Sequence, residues 1–490
     1  MKQLAILGLL AACGGGKYMY EAAPTSGAPP MMAVAAAEPN TGEQYTDYGR
    51  NPWVDASKDH LSTFAADVDT ASYTIARTKL MGGELPPAAS VRVEEWVNYF
   101  KYGFPAATGE NGPFAVVMDA AQHPFEANRY VLRVGVATKE KTPGERKPSS
   151  LVFLVDVSGS MSDPNKIELA KKSLQILLSN LTDKDEVSIV TYAGDSRVVL
   201  PMTSIDHRDR IAKAINGLHT GGSTAMGSGI DLAYEQAIKT VRPGHISRVI
   251  VCTDGDANVG AQSHEEILKL IEARANAGVS LSTIGFGMGN YKDTLMEQLA
   301  DKGNGNNYYI DSEQMAQRVF AEQLTSTLEV AAKDVKLQVD FDPAKVTRYR
   351  LIGYENRDLK DSDFRKDEVG AGQVGWGHQV TALYEVELAD PSGPFAMLHL
   401  RAKNPDGMKA VETAFAMPAG PTKLADAPAD LRFAFAVAAF ADIMRGNTTW
   451  TLEDVRAIAA PAASNNDRRE LVTLIDKAMG LRGHTAQVAR

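Results

Sequence analysis

Apolar and polar positions follow three different rhythms along the chain. Between residues 151 and 286, uninterrupted apolar runs alternate with stretches of helical spacing. Leu151–Val155, Val187–Tyr192, Val249–Cys252 and Val279–Phe286 read as buried strands, because a strand covered on both faces needs no polar alternation. The intervening stretches place Ile167, Ala170, Leu174, Leu177, Leu178 and Leu181, then Ile230, Ala233, Tyr234, Ala237 and Ile238, on single helical stripes; Glu265–Ala277 is helical too, and Val198–Leu200 is an edge segment. Pro164 suits the first turn of the first of these helices, where a missing amide donor is harmless.

After Asp334 the rhythm shortens to two. Lys336–Phe341, Gln379–Leu388, Phe395–Arg401 and Ala410–Phe415 alternate between apolar and polar, as in an antiparallel sheet with one wet face. Two earlier runs, Phe114–Met118 and Tyr130–Val136, lack enough partners nearby to form a stable sheet and are expected to join that set. From Pro428 the chain turns helical over Leu431–Met444, Thr451–Ala459 and Asp467–Met479. Thr451 opens a capping box, and Gly446 and Gly480 stand where helices end. Ahead of the first strands, a helix through Tyr73, Ile75, Ala76 and Leu80 is capped by Asp69 or Thr70, and a second carries Val93, Trp96, Val97 and Phe100 on one apolar stripe.

The expected fold is therefore α/β: a doubly wound, mostly parallel, Rossmann-like sheet over 148–330, inserted in or flanked by an antiparallel β-sandwich. That sandwich draws on a companion region at 58–147 and a β region at 331–420, and a helical segment at 421–490 closes the chain. The 490 residues suffice for several cores. A net charge of −10 with no clustered basic face disfavours nucleic acid, and none is expected as a partner.

The N-terminus adds a compartment. Lys2 precedes the apolar stretch Leu4–Ala12, which is too short to span a bilayer and reads as a secretion signal over 1–13. Leu10-Ala11-Ala12-Cys13 resembles a bacterial lipobox, in which Cys13 becomes the lipid-modified first residue; Gly14 rather than Asp after it implies, by the same resemblance, the outer membrane, facing the periplasm or the cell surface. Residues 14–57, rich in Gly, Ala, Pro and Ser, are expected to be a flexible tether. Cys252, the other of the two cysteines, sits within an apolar run and so reads as a buried thiol without a disulfide partner.

Candidate chemistry gathers where the central strand stops. Leu151-Val-Phe-Leu-Val-Asp156 ends in a carboxylate, and hydroxyls follow at Ser158 and Ser160. Alone, Asp156 could simply cap the next helix. Two more loops change that reading: Gly221-Gly-Ser-Thr224 before a helix, and Asp254-Gly255 after the Val249–Thr253 run. Asp-x-Ser-x-Ser, Thr and Asp on three loops resemble the metal-ion-dependent adhesion site of von Willebrand factor type A domains. The wider order, together with Asp67-Val-Asp-Thr-Ala-Ser-Tyr73 and Val91-Arg-Val-Glu-Glu-Trp-Val-Asn-Tyr-Phe100, resembles bacterial lipoproteins built around such a domain. The resemblance implies Ser158 and Ser160 as direct ligands, Thr224 as direct or through water, and Asp156 and Asp254 as either. It also implies a protein partner whose Asp or Glu carboxylate completes the ion's shell.

Hydroxyls and two aspartates, with no bidentate glutamate, suit magnesium, or manganese in its place, better than calcium. No small-molecule cofactor is expected. A metal-dependent hydrolase is disfavoured: the nine histidines are scattered, and neither a nucleophile elbow nor a phosphate-binding loop is present. Gly285, Gly287 and Gly289 imitate a dinucleotide fingerprint but lack its third glycine, so they read as a tight turn. Two functions remain open, an anchored adhesion protein and a scaffold or subunit of an envelope complex.

Overall fold

The computed structural model describes residues 42–109, 112–223, 225–255, 263–289, 291–447 and 449–488. Cys13 and the lipobox lie outside the described residues, as do most of the expected tether and Thr224.

The central sheet has the strand order Asn307–Ile310, Val279–Phe286, Ile246–Thr253, Ser149–Asp156, Glu186–Tyr192, Ser196–Ser204. All neighbours run parallel except the last, an antiparallel edge. Every residue of Ser149–Asp156 is buried. Leu151, Phe153 and Val155 share a cluster with Leu174 and Leu177 on one face; Val152 and Leu154 share another with Ile230 and Tyr234 on the opposite face. Helices on both sides explain why the run is apolar without alternation. Chain order reverses between Ser149–Asp156 and Ile246–Thr253, so the C-terminal tips of these two strands flank the switch point where α/β sheets bind ligands.

The β-sandwich is shared by sequence on either side of this sheet. Arg129–Thr138 pairs antiparallel with Gln379–Leu388, with Leu132 opposite Tyr384 and Val134 opposite Ala382. Their sheet also contains Phe114–Gln122, Val346–Ile352 and Val54–Asp55. The facing sheet holds Val330–Phe341, Gly372–Gly375, Ala396–Lys403, Ala410–Ala416 and the short strand Leu61–Ala65. Phe64, Met118, Leu132, Val134, Leu337, Val339, Phe341 and Tyr384 fill a single core between them. The central sheet is thus inserted between strands that pair with one another.

Among the C-terminal helices, Ala429–Met444 packs on Val93–Tyr99, Asn466–Val488 packs on Ala71–Met81, and Leu452–Ala459 packs against both C-terminal neighbours, in the same apolar cluster that covers one face of the central sheet. Trp96 meets Phe440 edge-on at 5.3 Å and Phe100 meets Phe433 at 5.0 Å, so the aromatic stripe is packing.

Three expectations are corrected. Residues 43–55 are not a free tether: Gln44 bridges to Lys292, Asn51 bonds the Leu351 and Gly353 carbonyls, and Val54–Asp55 joins a sheet. Gly480 does not end a helix, because Asn466–Val488 runs through it. Of the two expected caps of Ala71–Met81, Thr70 holds the N-cap position, without a side-chain cap bond, and Asp69 does not; the Asp69 carboxylate accepts the Asn307 amide at 3.0 Å and faces Arg357. Helices Arg208–Asn216 and Asp293–Lys302 and strand Asn307–Ile310, all short, are additions that periodicity did not reveal.

Candidate metal site at the sheet switch point

Four of the five expected site residues come together at the two strand tips. Asp156 is the last residue of its strand and fully buried. Its Oδ1 accepts the Ser158 amide at 2.9 Å, which turns the chain back so that the Ser158 and Ser160 hydroxyls lie 2.9 Å apart. Its Oδ2 accepts the Tyr192 hydroxyl at 3.1 Å and the Thr253 hydroxyl at 3.0 Å. Tyr192 and Thr253 end the two neighbouring strands, so a single carboxylate ties three adjacent strand tips together. Burial pushes the Asp156 carboxyl up to about 6, against the lowering effect of the Ser158 and Thr253 donors.

The Gly221–Ser223 loop docks on this turn. Gly221 donates its amide to the Val157 carbonyl at 2.8 Å, and the Gly222 carbonyl accepts the Gly159 amide at 3.1 Å. Gly222 adopts φ +90°, a left-handed conformation that an L side chain rarely tolerates. Behind the loop, Gly229 lets the helix Met226–Ala237 lie close against Tyr192, where a Cβ would stand 2.9 Å from the Tyr192 Cβ.

Asp254 is fully buried one residue beyond the Ile246–Thr253 strand, and its Oδ2 accepts the Lys166 ammonium at 3.0 Å. Lys166 also donates to the Ser160 carbonyl at 3.0 Å. Ser158 is buried, Ser160 half-buried, and Gly159 and Gly221–Ser223 exposed, so the site opens to solvent on the Ser160 and glycine-loop side while the carboxylate side is closed.

Among the described residues, no three of His, Cys, Asp and Glu gather in a way that could hold a metal. Any ion here therefore depends on hydroxyl oxygens as well as carboxylates. Two hydroxyls at contact distance, backed by buried carboxylates, form a hard-oxygen donor set that fits a small divalent cation. Lys166, Tyr192 and Thr253 were not singled out from sequence. Tyr192 and Thr253 were visible as the polar ends of apolar runs, but Lys166 sat in a helical stretch with nothing to mark it. Cys252 lies in the core beneath the site, and burial pushes its thiol up to about 12, which removes it as a nucleophile.

Sequence comparison agrees with this architecture. Residues 150–323 match the von Willebrand factor type A domain model, residues 39–133 match a model described as von Willebrand factor, and residues 326–394 and 388–481 match the C-terminal region of the uncharacterized protein YfbK. The chain is 38% identical to YfbK of Escherichia coli (strain K12), over 94% of its own length and 85% of that protein. The chain belongs to the YfbK family. Its type A domain places this YfbK-family protein in a class that binds a divalent metal at an adhesion site of this form. Among solved structures, a von Willebrand factor type A protein from Catenulispora acidiphila is 18% identical, with a TM-score of 0.46 over 76% of this chain and 91% of that one. Mussel proximal thread matrix protein 1, solved with a zinc-occupied adhesion motif, is 22% identical, with a TM-score of 0.31 over 36% of this chain and 45% of that one.

Proposed function

We propose that this YfbK-family protein is lipid-anchored in the cell envelope through Cys13 and binds a protein partner through a divalent ion at the type A site. The observation that carries the reading is the pair of Ser158 and Ser160 hydroxyls, 2.9 Å apart above a buried Asp156, at the solvent-facing end of the switch point.

By resemblance, Ser158 and Ser160 would hold the ion directly, Thr224 directly or through water, and Asp156 and Asp254 either way. Magnesium or manganese matches this set of hard oxygens and few charges. When bound, the ion supplies an electrophilic centre for a carboxylate from the partner. Asp156 keeps the Ser158–Ser160 turn closed by accepting its amide, and the neighbouring hydroxyls hold that carboxylate in place. None of the described groups at the site is a histidine or an accessible thiol, which favours binding over hydrolysis. A scaffold or subunit role in an envelope complex uses the same face with a different partner.

The test is a pull-down from detergent-solubilised envelopes, with and without chelator, for the wild type and for Ser158→Ala/Ser160→Ala. We expect calorimetry to show a single magnesium or manganese site that the double variant loses, and partner capture to fall with chelator and with the variant alike. A partner retained undiminished in both would place docking elsewhere. For the anchor, Cys13→Ser should abolish incorporation of labelled fatty acid; equal labelling would refute the lipobox. No helix among the described residues is long and apolar enough to cross a membrane.

A further inference from the structure

We propose that Lys166 is a resident counter-cation of the site: its ammonium and a divalent ion draw on the same Asp254 carboxylate, so Lys166 sets how tightly the ion is held. This rests on the reading of the site as a metal site, and the test below separates the two.

The lysine is built into its position. It lies in the turn Pro164–Glu168, wound with π rather than α geometry ahead of the helix Leu169–Asn180. Such turns are rare, occur frequently at functional sites, and re-aim the residues they contain. The Lys166 side chain is 7% exposed and that of Asp254 is 0% exposed, so the pair is desolvated. Its stem crosses Gly287, where a Cβ would stand 2.4 Å from the lysine Cγ and 2.6 Å from its Cε. Any other residue at 287 would displace the stem. The glycine run at 285–289 thus acquires a purpose: Gly285 admits the Tyr291 ring, which a Cβ would approach to 2.4 Å, and Gly287 admits the lysine.

The electrostatics of the two carboxylates differ. Asp156 is satisfied by uncharged donors, the Ser158 amide and the Tyr192 and Thr253 hydroxyls. Asp254 is met by a full positive charge at 3.0 Å. Among the described residues, counting Asp156 and Asp254 as −1 each, Lys166 as +1 cancels one of the two charges that draw a dication. Coulomb interactions are strong in this desolvated setting, so the ammonium opposes the ion. An ammonium is also a compact charge on a flexible four-carbon stem, able to yield to an ion as a guanidinium locked in a bidentate fork is not. The Lys166 contact to the Ser160 carbonyl links that yielding to the hydroxyl turn itself.

The experiment uses the full chain in detergent and compares wild type, Lys166→Met, Lys166→Gln and Lys166→Arg by Mn2+ calorimetry, and by thermal melting in chelator and in saturating Mn2+. Met keeps the stem over Gly287 and removes the charge. We expect Lys166→Met and Lys166→Gln to bind Mn2+ about 10- to 100-fold more tightly than wild type, equal in size and opposite in sign to the loss caused by removing a group that supports a metal ligand. Both should melt below wild type in chelator and recover in Mn2+, and Lys166→Arg, which keeps the charge on a group less able to yield, should bind Mn2+ no more tightly than wild type. Equal or weaker binding by the folded neutral variants would overturn the proposal and make Lys166 an organiser of the turn. If the neutral variants do not fold in chelator, saturating Mn2+ must restore them, and failure to do so is equally fatal. If no protein binds Mn2+, wild type included, the metal reading itself falls.

Discussion

The molecule buries carboxylates in two places and treats them differently. At the switch point, the partners of Asp156 and Asp254 among the described residues include hydroxyls, an amide and Lys166, beside an exposed glycine loop. About the opposite holds where the N-terminal segment, the central domain and the sandwich meet. There Arg92 bonds Glu95 and Asp293, and Arg357 reaches Asp67 at 3.0 Å, Asp301 at 2.7 Å and Asp69 at 3.4 Å, with Glu297 between the two guanidiniums. Arginine forks lock their partners in fixed geometry, whereas hydroxyls and an ammonium are single-point donors that can turn aside for an ion. A buried acid cluster is therefore not in itself a binding site; what distinguishes the two is whether the counter-charge is rigid and the cluster closed. The stretches Asp67–Tyr73 and Val91–Phe100 belong to the closed kind.

The largest consequence is expected at the junction. Arg357→Met leaves several carboxylates without their cation, and removing one partner of a buried pair costs about 3–5 kcal/mol, which urea unfolding should register. The folded fraction should bind Mn2+ as wild type does; a matching loss of metal affinity would mean that the two regions are coupled. Next comes the site, where Asp156→Asn should weaken Mn2+ binding ~10- to 100-fold in calorimetry, with a smaller change in stability than Arg357→Met causes.

Acidity separates the regions further. Burial raises the pKa of Glu95, Glu94, Glu297 and Asp69, opposed by Arg92 at Glu95 and by Arg92 and Arg357 at Glu297. An acid whose pKa is higher in the fold than in the unfolded chain binds its proton more tightly when folded. Its contribution is complete below the unfolded value near 4.5 and is lost as pH rises through the folded value. Unfolding midpoints between pH 5 and pH 8 should therefore decline more steeply for wild type than for Glu95→Gln, each unit of elevation being worth about 1.4 kcal/mol. Parallel curves would remove Glu95 from the titration. The smallest effect is expected for Thr253→Val, which takes one hydrogen bond from Asp156 and should cost about 1 kcal/mol in thermal unfolding while leaving the fold intact.

Much of this was legible in the chain itself. The buried run Leu151–Val155, the helical stripes around it and the two-residue rhythm after Asp334 all specify their elements, because burial on both faces, one face or one stripe writes a distinct period. The site motif was equally plain: Asp-x-Ser-x-Ser follows a buried strand directly, so the strand tip brings its donors together by local geometry alone. Where local order was weak, the chain was silent. Leu61–Ala65 and Val346–Ile352 are strands because partners from distant sequence complete their ladders, and residues 43–55 are ordered by contacts to Lys292, Leu351 and Gly353. Asp69 and Thr70 were equal candidates for one helix cap; tertiary structure brought Asn307 and Arg357 to Asp69 and left the N-cap position to Thr70. Lys166 is the sharpest case. Its distance from Asp254 along the chain is 88 residues, and only the sheet topology, a π turn and the missing side chain of Gly287 set its charge on that carboxylate. Period and motif are local properties that sequence carries directly; the pairing of buried charges depends on which loops meet, and that is decided only when the chain has folded.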